Sequence, residues 1–144
     1  MQLQFTFNGA EKLGKIKGSC HCGSVNWECD PPIKTVVKCH CSMCRKLHGS
    51  DHSTYVVVQK EQFSLTKGKG LVISYQATEK SYKNFCSICG TPIYLLNGKH
   101  FPNEFVLPLG IIENYTNELS PQIQVYTSEK PAWVKLQDDV PIFG

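Results

Sequence analysis

The sequence has no long apolar run: nothing in its 144 residues approaches the ~18 to 20 consecutive apolar positions that a membrane-spanning helix requires. Met1 to Lys17 carries charges at Glu11, Lys12, Lys15 and Lys17 and lacks an apolar stretch of signal-peptide length, so we expect a cytoplasmic chain with no membrane partner. Charge of one sign is also scarce. The formal net charge is +3, and no basic run is longer than Arg45-Lys46. Residues 1–72 hold ten Lys/Arg against five Asp/Glu, and residues 73–144 hold five against seven, so no nucleic-acid surface is expected. Internal repeats, low-complexity tracts and linkers are missing too, which predicts a single domain over residues 1–144.

What the chain does have is a globular balance, 41% hydrophobic and 19% charged. A chain of this length buries about two thirds of its unfolded surface and needs no covalent staples merely to fold. Its 8 cysteines therefore need another reason. They sit in tight local groups, and in a reducing compartment such thiols stay free unless a metal takes them. Metal would also change the charge balance. A zinc with four thiolates contributes about −2 and one with three about −1, which together cancel the +3.

Periodicity favours strands. Leu3, Phe5 and Phe7 alternate with polar residues, and Thr54 to Val58 is a β-branched and aromatic run. Further strand-like segments are Val25 to Glu28, Thr35 to Lys38, Leu71 to Tyr75, Pro92 to Leu96, Phe105 to Leu109 and Ile123 to Tyr126. Turn signals separate them at Asp30-Pro31-Pro32, Lys67-Gly68-Lys69-Gly70 and Asn97-Gly98, the last a strong hairpin signal. Helix is expected only in short turns, from Cys41 through Leu47 and near Tyr115 to Leu119. The fold class is mainly β.

Seven cysteines fall in three blocks: Cys20 and Cys22; Cys39, Cys41 and Cys44; Cys86 and Cys89. A closed structural zinc takes four protein ligands, and a catalytic zinc takes three and keeps a position open, so seven thiols fit one site of each kind. Two closed sites are the alternative, with the missing ligand drawn from His21, His40, His48, His52 or His100. Spacing leaves the partition open. Cys41 and Cys44 with Cys86 and Cys89 would make an ordinary zinc ribbon. Cys20 and Cys22 with Cys86 and Cys89 would leave a compact trio, which local chain closure favours slightly.

Gly18-Ser-Cys-His-Cys-Gly23, Cys39-His-Cys-Ser-Met-Cys-Arg-Lys46 with Gly49-Ser50, and Phe85-Cys-Ser-Ile-Cys-Gly-Thr91 together resemble the glutathione-dependent formaldehyde-activating enzyme family, also known as the centromere-protein-V type domain. The resemblance continues into Lys130-Pro-Ala-Trp133 and Leu136 to Phe143, spanning roughly residues 18–143. It implies a β-tent zinc fold with two zincs per chain. A structural zinc would be held by Cys20, Cys22, Cys86 and Cys89, and a catalytic zinc by Cys39, Cys41 and Cys44. It also implies a carbon-sulfur lyase that joins formaldehyde to a small thiol, glutathione, giving S-hydroxymethylglutathione. The histidine that the family often has nine residues before the late tryptophan is here Gln124.

A zinc bearing three thiolates is a weak Lewis acid but well suited to a fourth, substrate thiolate. Arg45 and Lys46 are candidates to attract the tripeptide's carboxylates. His48 and His52 are candidates for proton transfer. His21 and His40, between ligating cysteines, are expected to point away from the metal. Trp133 is expected to pack, or on the resemblance to line a pocket; Cys29 is read as a small buried hydrophobe. Gly18, Gly23, Gly49 and Gly90 are read as turn glycines. The rival functions are a non-catalytic zinc adaptor module of the same fold and a thiol redox enzyme using a CxxC dithiol. Iron is the competing metal for an all-thiolate site.

Overall fold

The structure is a computed structural model that describes residues 14–114 and 116–144. Among these residues ten strands and one α-helix follow in the order β1 (Ile16–Ser19), β2 (Asn26–Cys29), β3 (Thr35–Cys39), α1 (Ser42–His48), β4 (Ser53–Gln59), β5 (Phe63–Lys67), β6 (Val72–Thr78), β7 (Ser81–Cys86), β8 (Pro92–Asn97), β9 (Phe101–Pro108) and β10 (Ile123–Val125). They form two open sheets, one ordered β1-β2-β5 and one ordered β10-β3-β4-β9-β8-β7-β6. All neighbours run antiparallel except β10, which lies parallel to β3.

Strand alternation sorts the apolar side chains onto the two faces of the larger sheet. Val36, Val56, Val58 and Leu107 face the smaller sheet and pack with Ile16, Trp27 and Cys29. Val37 and Val57 meet Ile123 on the opposite face, where Cys39, Tyr55, Leu95 and Val106 form a second cluster with Cys44 of α1. A strand covered on both sides needs no polar face, which explains the unbroken run Tyr55 to Val58. Cys29 is buried as expected, and burial pushes its thiol up to about 12.

The structure departs from the sequence reading in several places. Leu3 to Phe7 lies outside the described residues. Strands β1, β5 and β7 were not expected. From Thr116 to Ser120 the chain makes a turn instead of a helix: the Leu119 N–H donates to the Thr116 carbonyl at 3.1 Å, and Pro121 follows. Gly23, Gly49 and Gly90 do occupy the left-handed region, at φ 77°, 61° and 81°. Gly18 does not: it lies inside β1 opposite Trp27, where a Cβ would stand 2.2 Å from the indole carbons Cε2 and Cζ2. Its small size is there for packing, not for a turn.

Candidate metal centres and the adjoining cavity

Two loops bring four sulfurs together. Cys20 and Cys22 follow β1, and Cys86 ends β7 with Cys89 in the turn after it, so the group joins the smaller sheet to the larger one. Each loop is a tight turn closed through glycine: Gly23 N–H donates to the Cys20 carbonyl at 3.1 Å, and Gly90 N–H to the Cys86 carbonyl at 2.8 Å. The separations Cys20 Sγ to Cys22 Sγ, 3.6 Å, and Cys22 Sγ to Cys86 Sγ, 3.9 Å, bracket the ~3.8 Å edge of a tetrahedron built with zinc-sulfur bonds of about 2.3 Å. The surroundings favour thiolates as well. Val25 N–H points to Cys20 Sγ at 3.3 Å, and hydrogen bonds from Thr91 hold Cys89 down at about 5. Burial acts the other way on Cys20 and raises it. Four sulfurs at these distances fit a four-coordinate metal.

The remaining trio, Cys39, Cys41 and Cys44, also gathers its sulfurs within 4.8 Å. Cys39 ends β3, and Cys41 caps α1, its sulfur accepting the Cys44 N–H at 3.3 Å. Gly49 closes the helix in the left-handed conformation, with its N–H donating to the Arg45 carbonyl. Hydrogen bonds from the Cys39 and Cys44 thiols pull Cys41 well below the usual thiol range, while the same contacts raise Cys39. The trio thus has the donor softness of a thiolate site with one ligand fewer than its neighbour. The partition left open by spacing is resolved in space: Cys20 and Cys22 lie with Cys86 and Cys89, and the local trio stands alone.

Beside the trio the larger sheet carries a cavity of about 530 Å³, walled mainly by apolar residues of β3, β4, β8, β9, β10 and α1 and reached by Cys39 and Cys44. Tyr55, almost fully buried, packs in one cluster with Cys39 and Cys44, and its hydroxyl lies 2.7 Å from His48 Nε2. Packing against Tyr55, whose ring is itself tied to His48, supports Cys44 from the side of the sheet. Burial, with the nearby Lys83 charge, holds His48 down at about 4, so its ring is neutral at physiological pH.

The other expected site residues are placed differently. Arg45, Lys46, His48 and His52 do not line the cavity. Lys46 is exposed, Arg45 is half-buried, and His52 Nδ1 is bound to Asp51 Oδ1 at 2.6 Å. His21 is exposed, and His40 is fully buried with its ring 5.5 Å from that of His52; neither joins a sulfur cluster. Among the described residues Trp133 is 71% exposed and stands outside the lining of the cavity beside the trio. Gln124 is fully buried on the face of β10 opposite to its cavity-lining neighbours Ile123 and Val125. There its amide donates to the carbonyls of Gln137 and Val140 and accepts the Gln137 N–H at 2.7 Å, clamping the C-terminal segment. The sequence did not mark Lys34, Phe101 or Tyr126 as cavity residues, and it offered His100 only as a spare metal ligand; they come from strand ends and turns far apart in the chain, and no local motif joins them.

Comparison with known proteins agrees with this arrangement. The chain is 27% identical, over an alignment of 135 positions that covers 85% of it and 81% of the relative, to a protein of Halomonas elongata named "Putative glutathione-dependent formaldehyde-activating enzyme". The fold resembles the crystal structure of a Rhodobacter sphaeroides protein, with a TM-score of 0.58 and 23% identity, covering 70% of this chain and 91% of that one. Residues 15–129 match the model of the glutathione-dependent formaldehyde-activating enzyme family. Those residues contain both sulfur clusters, and the chain belongs to that family.

Proposed function

We propose that the chain is a zinc-dependent carbon-sulfur lyase that joins a small thiol to formaldehyde, with glutathione the reference thiol from the family's name. The observation that carries this reading is the inequality of the two clusters: four sulfurs are complete for a structural metal, whereas the group of three adjoins a ligand-sized cavity that two of its members, Cys39 and Cys44, line. Cys20, Cys22, Cys86 and Cys89 would hold the structural zinc, and Cys39, Cys41 and Cys44 the second. When bound there, zinc would lower the pKa of an incoming thiol and fix its sulfur.

The chain's own groups do the rest. Cys39 and Cys44 present their sulfurs to the cavity, and Tyr55 with His48 keeps Cys44 in place. Overall, a bond forms between the thiol sulfur and the formaldehyde carbon, and the thiol's proton ends on the new hydroxyl oxygen. Residues 1–144 as one cytoplasmic zinc domain complete the reading; among the described residues no helix is long and apolar enough to cross a membrane.

The test is the thiol-dependent consumption of formaldehyde by the zinc-loaded protein, with the hydroxymethyl adduct followed by NMR. Activity that disappears in Cys44→Ser, in a protein that keeps its fold, supports the lyase. Two inert metals and no acceleration by any thiol would favour the adaptor module instead.

A further inference from the structure

The cavity's polarity says which thiol it accepts. Its walls are built from Val37, Val57, Leu95, Val106, Ile123 and Phe101, so most of the surface facing a ligand is hydrocarbon. Glutathione carries two carboxylates and an ammonium, and a carboxylate moved into such surroundings without a cationic partner costs several kcal/mol. Lys34 is the sole lysine or arginine among the described residues lining the cavity. Its charge is already engaged: Nζ lies 2.7 Å from Oε1 of the buried Glu104 and sits over the Phe101 ring at 5.8 Å. Two further polar groups on the wall are occupied by neighbours, His100 Nε2 with the Tyr126 hydroxyl at 2.9 Å and the Tyr55 hydroxyl with His48. Arg45 and Lys46, the basic pair nearest the trio in sequence, stand outside the lining.

We infer that the thiol used by this chain carries an uncharged aryl or alkyl substituent, which fills the cavity while its sulfur meets the Cys39, Cys41 and Cys44 site, and that glutathione is a poor fit. The inference rests on the proposed thiol chemistry of that site and narrows its substrate class. Cys39 and Cys44 open into the same cavity that the hydrocarbon walls define, so one ligand reaches both. The Lys34 and Glu104 pair acts as a charge filter: among the described residues it leaves no free lysine or arginine at the wall to reward a carboxylate.

Isothermal titration calorimetry on the zinc-loaded protein, with phenylmethanethiol, glutathione and toluene as separate probes, tests the inference. Phenylmethanethiol is expected to bind at least about tenfold more tightly than glutathione, and toluene more weakly than phenylmethanethiol. Glu104→Gln, which releases the Lys34 charge, should shift that preference towards glutathione. Val125→Lys, on the half-buried β10 wall, should weaken phenylmethanethiol about tenfold while zinc content and circular dichroism stay native. Glutathione binding as tightly as phenylmethanethiol would overturn the inference and leave the lyase reading standing. If neither thiol bound, both would fall. Toluene matching phenylmethanethiol would also overturn the inference, because sulfur would then contribute nothing.

Discussion

Replacing Gly18 with alanine tests how the first metal loop is seated. Gly18 pairs with Trp27 across β1 and β2, and its Cβ would stand 2.2 Å from Cε2 and Cζ2 and 2.6 Å from Nε1 of the indole. Carbon atoms settle at about 3.5–4.0 Å, so either the ring or the strand must yield by more than about 1 Å. The ring has nowhere to go: Trp27 is 1% exposed and packs on Phe63 at a centroid distance of 5.4 Å. Overpacking of this kind costs about 1–3 kcal/mol, which for a chain of this size lowers the melting temperature by roughly 3–10 °C. Because Cys20 follows two residues later, the same displacement should weaken metal retention at the four-sulfur cluster. The assay is thermal unfolding of the zinc-loaded protein followed by circular dichroism, with zinc release measured alongside. Gly70→Ala is the control: a Cβ there meets nothing within 4 Å, and the change should be neutral or slightly stabilising. A Gly18→Ala protein melting within about 1 °C of the native one would refute the reasoning.

The two clusters should respond differently to loss of a ligand. Cys86→Ser should unfold the protein, whereas Cys44→Ser should leave circular dichroism native and abolish formaldehyde consumption. A double-mutant cycle of Tyr55→Phe and His48→Gln should give a coupling energy of about 1 kcal/mol in denaturant unfolding, reflecting the 2.7 Å contact; additive effects would deny that the pair acts as a unit. With His48 depressed to about 4 from an ordinary 6.5, the unfolded chain binds a proton before the native one does. This contribution to stability is complete above about pH 6.5 and lost as pH falls to about 4, so His48→Gln should show a shallower acid decline in denaturant midpoint than the native protein.

How far the sequence discloses the fold depends on how each strand is buried. β4 announces itself because its doubly covered stretch, Tyr55 to Val58, is apolar at four successive positions, and the Asn97-Gly98 signal correctly joins β8 to β9. β1 and β7 are silent for opposite reasons. In β1 one of the inward positions is Gly18, which has no side chain to mark a period. In β7 the buried positions are Ser81, Asn84 and Cys86, while Tyr82 and Phe85 are only half-buried, so polarity and burial disagree. The cysteine trio is local and legible, but the joining of Cys22 to Cys86 spans 64 residues and depends on how two sheets meet. The cavity is less legible still. Its apolar wall is drawn from strands scattered between β3 and β10, and the one lysine or arginine that lines it among the described residues is neutralised by Glu104, a partner 70 residues away. Gln124 shows the converse, a position the family pattern marks whose side chain here serves the C-terminal segment.

The central claim is an open, thiol-accepting zinc beside a closed one. Elemental analysis of protein purified without chelator, followed by zinc X-ray absorption during titration with phenylmethanethiol and with glutathione, addresses it most directly. The account predicts two zincs per chain and a mean sulfur coordination rising from about 3.5 to about 4 as one site gains a ligand. A single zinc, or a coordination number that neither thiol moves, would contradict it.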